Sequence, residues 1–263
     1  MTLSFSRWNG RGALGGMALV GLLALALPLR GQVKDFTIFS TYKALASTLD
    51  EVARLVTARQ FDQARERLKL CLAKVPDHFE AHYYLALMAY ETKDYPMALA
   101  YAELSKASLA ELDRLYSAEV GRLEAARERT ISQLETSLEQ ADSGPGLNNC
   151  REGDIHSAKL AIAMEKRKQG PLSRGADPFI TPKEYYFLHG NCLFRLGRQA
   201  EAQTQYWAAI KLDSAYAQAW NNLINSLWAD RQYDQAAACL RKAEAAKVQI
   251  TPELRKAVFA AVK

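Results

Sequence analysis

The sequence predicts an all-α solenoid built from helix–turn–helix units, and three observations carry that prediction. Residues recur at a step of 34: Phe61 and Tyr95, Ala64 and Ala98, Cys71 and Ser105 in one region. The same step links Tyr186 to Trp220, Leu193 to Leu227, Ala202 to Ala236, Tyr206 to Leu240 and Ala209 to Ala243 in another. A period of that length, filled with helix formers, marks stacked helical hairpins. Alanine and leucine dominate the chain, and β-branched runs of strand type are scarce. Finally, 49% of the 263 residues are hydrophobic, enough for one extended or two compact folded units. Units of this kind bury their apolar faces on one another and leave one surface free for a partner.

Residues 1–31 read as an address. Arg7 and Arg11 precede an apolar stretch from Ala13 to Leu29, interrupted by Gly15, Gly16, Gly21 and Pro28. A basic region followed by an apolar one is the layout of a secretory signal, here with cleavage after Gly31 and export to the periplasm or medium. Leu29 stands where a small residue is usual, which makes the cleavage site imperfect. Residues 13–29 also reach the lower length limit for crossing a bilayer, so a membrane anchor is the competing reading. No cysteine follows the apolar run, which argues against a lipid-modified N-terminus. Arg7, Arg11 and Arg30 supply three of the five net positive charges, so the basic balance says little about the rest of the chain.

Residues 32–44 read as a short linker, and 45–112 as two repeats. In the first, Leu49, Val52, Leu55 and Val56 line one helix and Ala58–Gln60 turn the chain. Phe61, Ala64, Leu68, Cys71 and Leu72 return it, and Pro76 stops it. The second repeat uses His82, Leu85, Ala86 and Ala89, then Tyr95, Ala98, Ala102 and Ser105. From Pro96 to Ala141 only Gly121 interrupts, so the returning helix is predicted to run on. Its stripe of Leu109, Leu112, Tyr116, Val120, Leu123, Ile131, Leu134 and Leu138 is spaced by threes and fours. Ser143–Gly146 end it, a return helix covers roughly 154–168, and a Gly/Pro-rich connector completes the 113–182 insertion. Residues 183–250 hold the third and fourth repeats. Thr181-Pro182-Lys183-Glu184 reads as a capping box with Pro182 at the first helical position. Thr251-Pro252-Glu253 then starts a capping helix, 251–263, whose Leu254, Val258 and Ala261 cover the end of the stack. The register holds within 45–112 and 183–250 and fails between them, which reads as two short blocks joined through a long helical hairpin.

The pattern Tyr-x3-Gly-x2-Leu-x2-Leu-Gly-x4-Ala-x3-Tyr-x2-Ala, from Tyr186 to Ala209, resembles a tetratricopeptide repeat. Trp220 to Ala243 resembles a second, with the signature tryptophan. Small residues at Gly190, Ala202 and Ala209 let paired helices approach, and bulky ones fill the space between them. The chain departs from the pattern at Glu51 and Val52 in the first repeat, and at Ile224 and Arg231 in the fourth.

The resemblance implies that the first helix of each repeat lines a groove. The groove residues would be Glu184, Phe187, Asn191, Phe194 and Arg195 in the third repeat. In the fourth they would be Gln218, Asn221, Asn222, Asn225 and Trp228. Asparagines offer a donor and an acceptor for an extended peptide's backbone, and Phe194 and Trp228 are apolar anchors of the kind that dominate binding energy. Related repeats that clamp a terminal carboxylate use several cations, whereas here Arg195 stands alone. The function this supports is a non-catalytic scaffold for a protein or peptide partner outside the cytoplasm. Self-association through the 96–142 helix, giving a homo-oligomeric spacer or membrane organiser, is the alternative.

Other chemistry finds little footing. His78 and His82 are four apart, but no third metal ligand accompanies them. His156 and His189 read as structural. No nucleophile elbow or phosphate-binding glycine loop occurs, so neither catalytic residues nor a cofactor are assigned. The basic run at residues 166–168 is too short for nucleic acid. Cys71, Cys192 and Cys239 fall on apolar helix faces and read as buried thiols, while Cys150 reads as exposed in a loop.

Overall fold

The computed structural model describes residues 40–143, 148–167 and 181–261. Both readings of residues 1–31 and the connector from 168 to 180 lie outside the described residues. Every regular element among the described residues is an α-helix. In chain order these are α1 (Ser40–Ala44), α2 (Ala46–Thr57), α3 (Phe61–Lys74), α4 (Phe79–Glu91), α5 (Tyr95–Ser143) and α6 (Asn148–Arg167). They continue with α7 (Lys183–Arg195), α8 (Gln199–Leu212), α9 (Ala217–Ala229), α10 (Tyr233–Ala245) and α11 (Pro252–Ala261). The chain divides into two units, one holding the residues up to Leu109 with those from Ile180, the other Ala110–Phe179.

In the first unit the four repeats are α2/α3, α4 with the start of α5, α7/α8 and α9/α10. Their first helices stand in a row: α2 touches α4, α4 touches α7, α7 touches α9, and α9 touches α11. The sequence reads as two blocks because the register breaks after residue 112, but in space α7 packs directly against α4. One hydrophobic core runs from Leu45 and Leu49 through Tyr84, Leu87, Leu188 and Leu193 to Leu240 and Val258. The Tyr185 hydroxyl on α7 donates to the Ala102 carbonyl on α5, closing the joint between second and third repeats. On the other side of α5, Ser105 Oγ donates to the Phe79 carbonyl at 2.7 Å. There the His82 Nδ1 also lies 3.2 Å from Ser108 Oγ.

The turns repeat as faithfully as the helices. A left-handed residue follows α2, α4, α7, α9 and α10: Arg59, Lys93, Gly197, Arg231 and Lys247, with φ between 58° and 78°. Behind each, an N–H reaches five residues back, from Gln60 to Leu55, Asp94 to Ala89, Arg198 to Leu193, Gln232 to Leu227 and Val248 to Ala243. This is the Schellman geometry, which satisfies carbonyls that a helix end leaves open. Only Gly197 has the residue type that adopts it without steric cost; the other four carry about 1 kcal/mol of backbone strain each.

The capping box is not realised. Pro182 itself occupies the cap, with extended backbone and no side-chain cap bond, because its ring fixes φ before the helix begins. Lys183 instead pairs with Asp213 and lies 4.9 Å over the Tyr216 ring. Cys71, Cys192 and Cys239 are buried free thiols, and burial pushes Cys192 up to about 12. Cys150 falls inside α6 rather than in a loop; its side chain is outside what is described. His189 is buried, and burial with the nearby Lys106 and Arg198 charges lowers it to about 4.

The helix α5 has 49 residues, about 74 Å at 1.5 Å per residue. Within the second unit it carries the buried Leu112, Tyr116 and Val120, while Leu123, Ile131, Leu134 and Leu138 are half-buried. Lys166 on α6 pairs with Glu135 on α5 at 3.1 Å, and Ile162 is buried. Much of the stripe expected to drive self-association is thus covered within the chain.

Candidate partner-binding face

The row of first helices brings α4, α7 and α9 side by side, so their inner faces share one surface. Its centre is a hydrogen-bond cluster around Asn191. The Asn191 Oδ1 accepts from the Tyr206 hydroxyl at 2.9 Å and from Asn222 Nδ2 at 2.7 Å. Asn191 comes from α7, Tyr206 from α8 and Asn222 from α9, so the amides lock three helices. The Asn191 amide nitrogen and the Asn222 carbonyl make no hydrogen bond among the described residues, and both remain available as donor and acceptor.

Arg195 lies one turn further along α7. Its guanidinium sits 5.8 Å over the Tyr95 ring, with Tyr90 beside it. Burial works against its charge, but the tyrosines around it outweigh that and hold its pKa above the ordinary arginine value. Arg195 is exposed, while Phe194, Asn222, Asn225, Gln218 and Trp228 are half-buried. Trp228 stacks edge-on against Tyr233 at 6.3 Å.

Three of the expected groove residues have other work. Phe187 is 1% exposed, packed between Tyr206 and Tyr216 at 6.2 and 5.4 Å. It belongs to the core, because an aromatic ring at that helix position fills the gap between repeats. Glu184 is also buried, and burial raises its carboxyl above the usual range. Asn221 ties down the terminal helix: it donates to the Gln249 carbonyl at 3.1 Å and accepts from the Thr251 N–H at 2.9 Å. The remaining residues, Asn191, Phe194, Arg195, Gln218, Asn222, Asn225 and Trp228, stay on the first-helix face.

Sequence reasoning missed Tyr90 and Tyr95. Tyr90 holds the repeat position of Phe194 and Trp228 once the two blocks are aligned from Phe79 and Lys183, a signal hidden by the insertion. A separate recess of about 350 Å³ lies between α3, α4 and α5, lined by Leu68, Leu72, Leu85, Met88 and Tyr101.

A family model described as tetratricopeptide repeat matches residues 49–111 and 187–249. The chain carries tetratricopeptide repeats. The matched segments begin within α2 and α7 and take in both helices of each repeat. No curated protein matches the chain. The tetratricopeptide repeats supply the whole of the candidate face, with Tyr90, Tyr95, Asn191, Arg195, Tyr206 and Asn222 all inside matched residues. Among the described residues no group of three or more His, Cys, Asp or Glu side chains is placed to hold a metal. No described helix is long and apolar enough to cross a membrane.

Proposed function

We propose that the chain is a non-catalytic scaffold that holds an extended segment of a protein partner along the first helices of its second, third and fourth repeats. The observation behind this reading is the Asn191–Asn222 pair, which fixes two amide side chains across adjacent repeats. It leaves one donor and one acceptor for a peptide backbone. Phe194 and Trp228 flank the pair as half-buried aromatics, the residue type that anchors interfaces. A peptide selected from a random displayed library on the full chain should bind the Asn225→Ala/Trp228→Ala double variant at least tenfold more weakly. Undiminished affinity for that variant would refute this face.

The basic and apolar pattern of residues 7–29 supports placing the scaffold outside the cytoplasm, by cleavage after Gly31 or by an N-terminal anchor. N-terminal sequencing of the protein from its native host distinguishes these: Gln32 at the start means cleavage, Met1 or Thr2 an anchor. A cytosolic fraction holding all of the intact chain would contradict both.

A further inference from the structure

The joint between the second and third repeats holds a buried imidazole. His189 on α7 is 7% exposed, and its Nδ1 is buried with no hydrogen-bond partner among the described residues. One turn earlier on the same helix, the Tyr185 hydroxyl closes the joint onto the Ala102 carbonyl of α5. The two rings meet edge-on, 6.1 Å between centroids. A neutral imidazole suits this place, because one of its nitrogens carries no proton. Protonation turns Nδ1 into a buried, charged donor without an acceptor, which is costly.

The charges around the ring add to that cost. Lys106 of α5, one turn beyond Ala102, and Arg198 in the turn after α7 both oppose a positive His189. Glu201 of α8 pulls the other way, but Arg198 already takes both of its carboxylate oxygens at 2.6 Å. Glu103 of α5 bears on Arg198 and on Tyr185. Glu184, at the start of α7, titrates with the opposite sign: its raised carboxyl favours the folded chain as acid is added.

We propose that acid opens this joint through His189, parting the first two repeats from the last two while each pair stays folded. Each pair is a set of complete hairpins, and they meet where α4 and α5 face α7. Burial and the two cations lower the imidazole from its ordinary 6.5 to about 4 in the closed joint. The closed form therefore keeps its full advantage above pH 6.5. It loses that advantage by about a hundredfold as the pH falls to 4. The candidate face spans the joint, with Arg195 of α7 over the Tyr95 ring of α5, so opening takes the face apart. That consequence rests on the peptide-binding reading above; the opening itself does not.

Cys192 reports on the joint without an added label. It is fully buried three residues beyond His189, close enough to Tyr83 and Tyr90 of α4 to act on both. Cys71 in the first repeat and Cys239 in the fourth are buried thiols remote from it in sequence. The test exposes the full chain to 2,2′-dithiodipyridine, which reacts with thiols in acid, and maps the labelled cysteines by mass spectrometry. Labelling of Cys192, relative to the unfolded chain, should rise about a hundredfold from pH 7.5 to pH 4. Cys71 and Cys239 should stay protected. His189→Gln, which cannot charge, should flatten the rise, whereas His82→Gln should leave it. Lys106→Met, which keeps the imidazole and removes a cation, should make the rise smaller. Three thiols rising together, no rise at Cys192, or a rise that His189→Gln leaves unchanged would overturn the proposal. None of these outcomes touches peptide binding at neutral pH, which the Asn225→Ala/Trp228→Ala variant tests separately.

Discussion

Gly190→Ala is expected to destabilise the protein by about 1–3 kcal/mol, against the usual direction of such a change. Inside a helix, alanine is normally the better residue by about 0.5–1 kcal/mol, because glycine loses more backbone freedom on folding. Here a methyl group at Gly190 would stand 2.7 Å from Tyr206 Cε1 and 2.9 Å from Cδ1. Tyr206 has nowhere to go. It is 1% exposed, its ring abuts Phe187, and its hydroxyl is tied to Asn191. The steric term therefore exceeds the propensity term.

The other repeats show the same trade in different sizes. The positions of Gly190 and Tyr206 are occupied by Val52 and Leu68, Ala86 and Ala102, and Ile224 and Leu240, all buried. Only the third repeat pairs the smallest residue with the largest. In a Tyr206→Leu background, then, Gly190→Ala should become neutral or stabilising. Denaturant melts of the four proteins give the coupling directly. A Gly190→Ala protein more stable than its parent would mean that the helices of the third repeat are further apart than described. The prediction also reaches the candidate face, since a displaced Tyr206 loosens the hydrogen bond that orients Asn191.

Most of the fold was legible because the repeat enforces it. The step of 34 located the helix pairs of the four repeats, and the absence of turn residues after Pro96 announced the long α5. Pro76 and Pro252 marked helix limits where backbone chemistry allows little choice. What was not legible concerned relations across the insertion. The periodicity broke after residue 112, so nothing in the pattern said that α7 would rest on α4. That contact depends on a complementary surface, including the Tyr185 hydroxyl on the Ala102 carbonyl, which has no period to detect. The candidate face suffered the same way. Phe194, Asn222 and Trp228 could be placed from helix position alone, whereas Tyr90 and Tyr95 join Arg195 only after the repeats stack. Position also misled: Phe187 and Glu184 lie at groove positions of the helix, but the neighbouring repeats bury them. The asparagines looked alike in sequence, and only geometry separates Asn221, a tether for the last helix, from Asn222.

A face built from Tyr90, Arg195 and Asn222 exists only if the four repeats form one body. Three of the four tryptophans, Trp207, Trp220 and Trp228, belong to the last two repeats and report on them in a Trp8→Phe background. Leu68 lies in the first repeat, 1% exposed, and its truncation to alanine should cost about 2–5 kcal/mol through lost burial and an unfilled cavity. The decisive measurement is thermal unfolding of the Leu68→Ala protein followed at once by tryptophan emission and by far-ultraviolet circular dichroism. If the repeats share one core, both midpoints fall together, on the order of 10 °C, although the substitution is remote from every reporting tryptophan. A tryptophan midpoint that stays at the parent value while circular dichroism shows an earlier step would mean two independent blocks and would contradict the account.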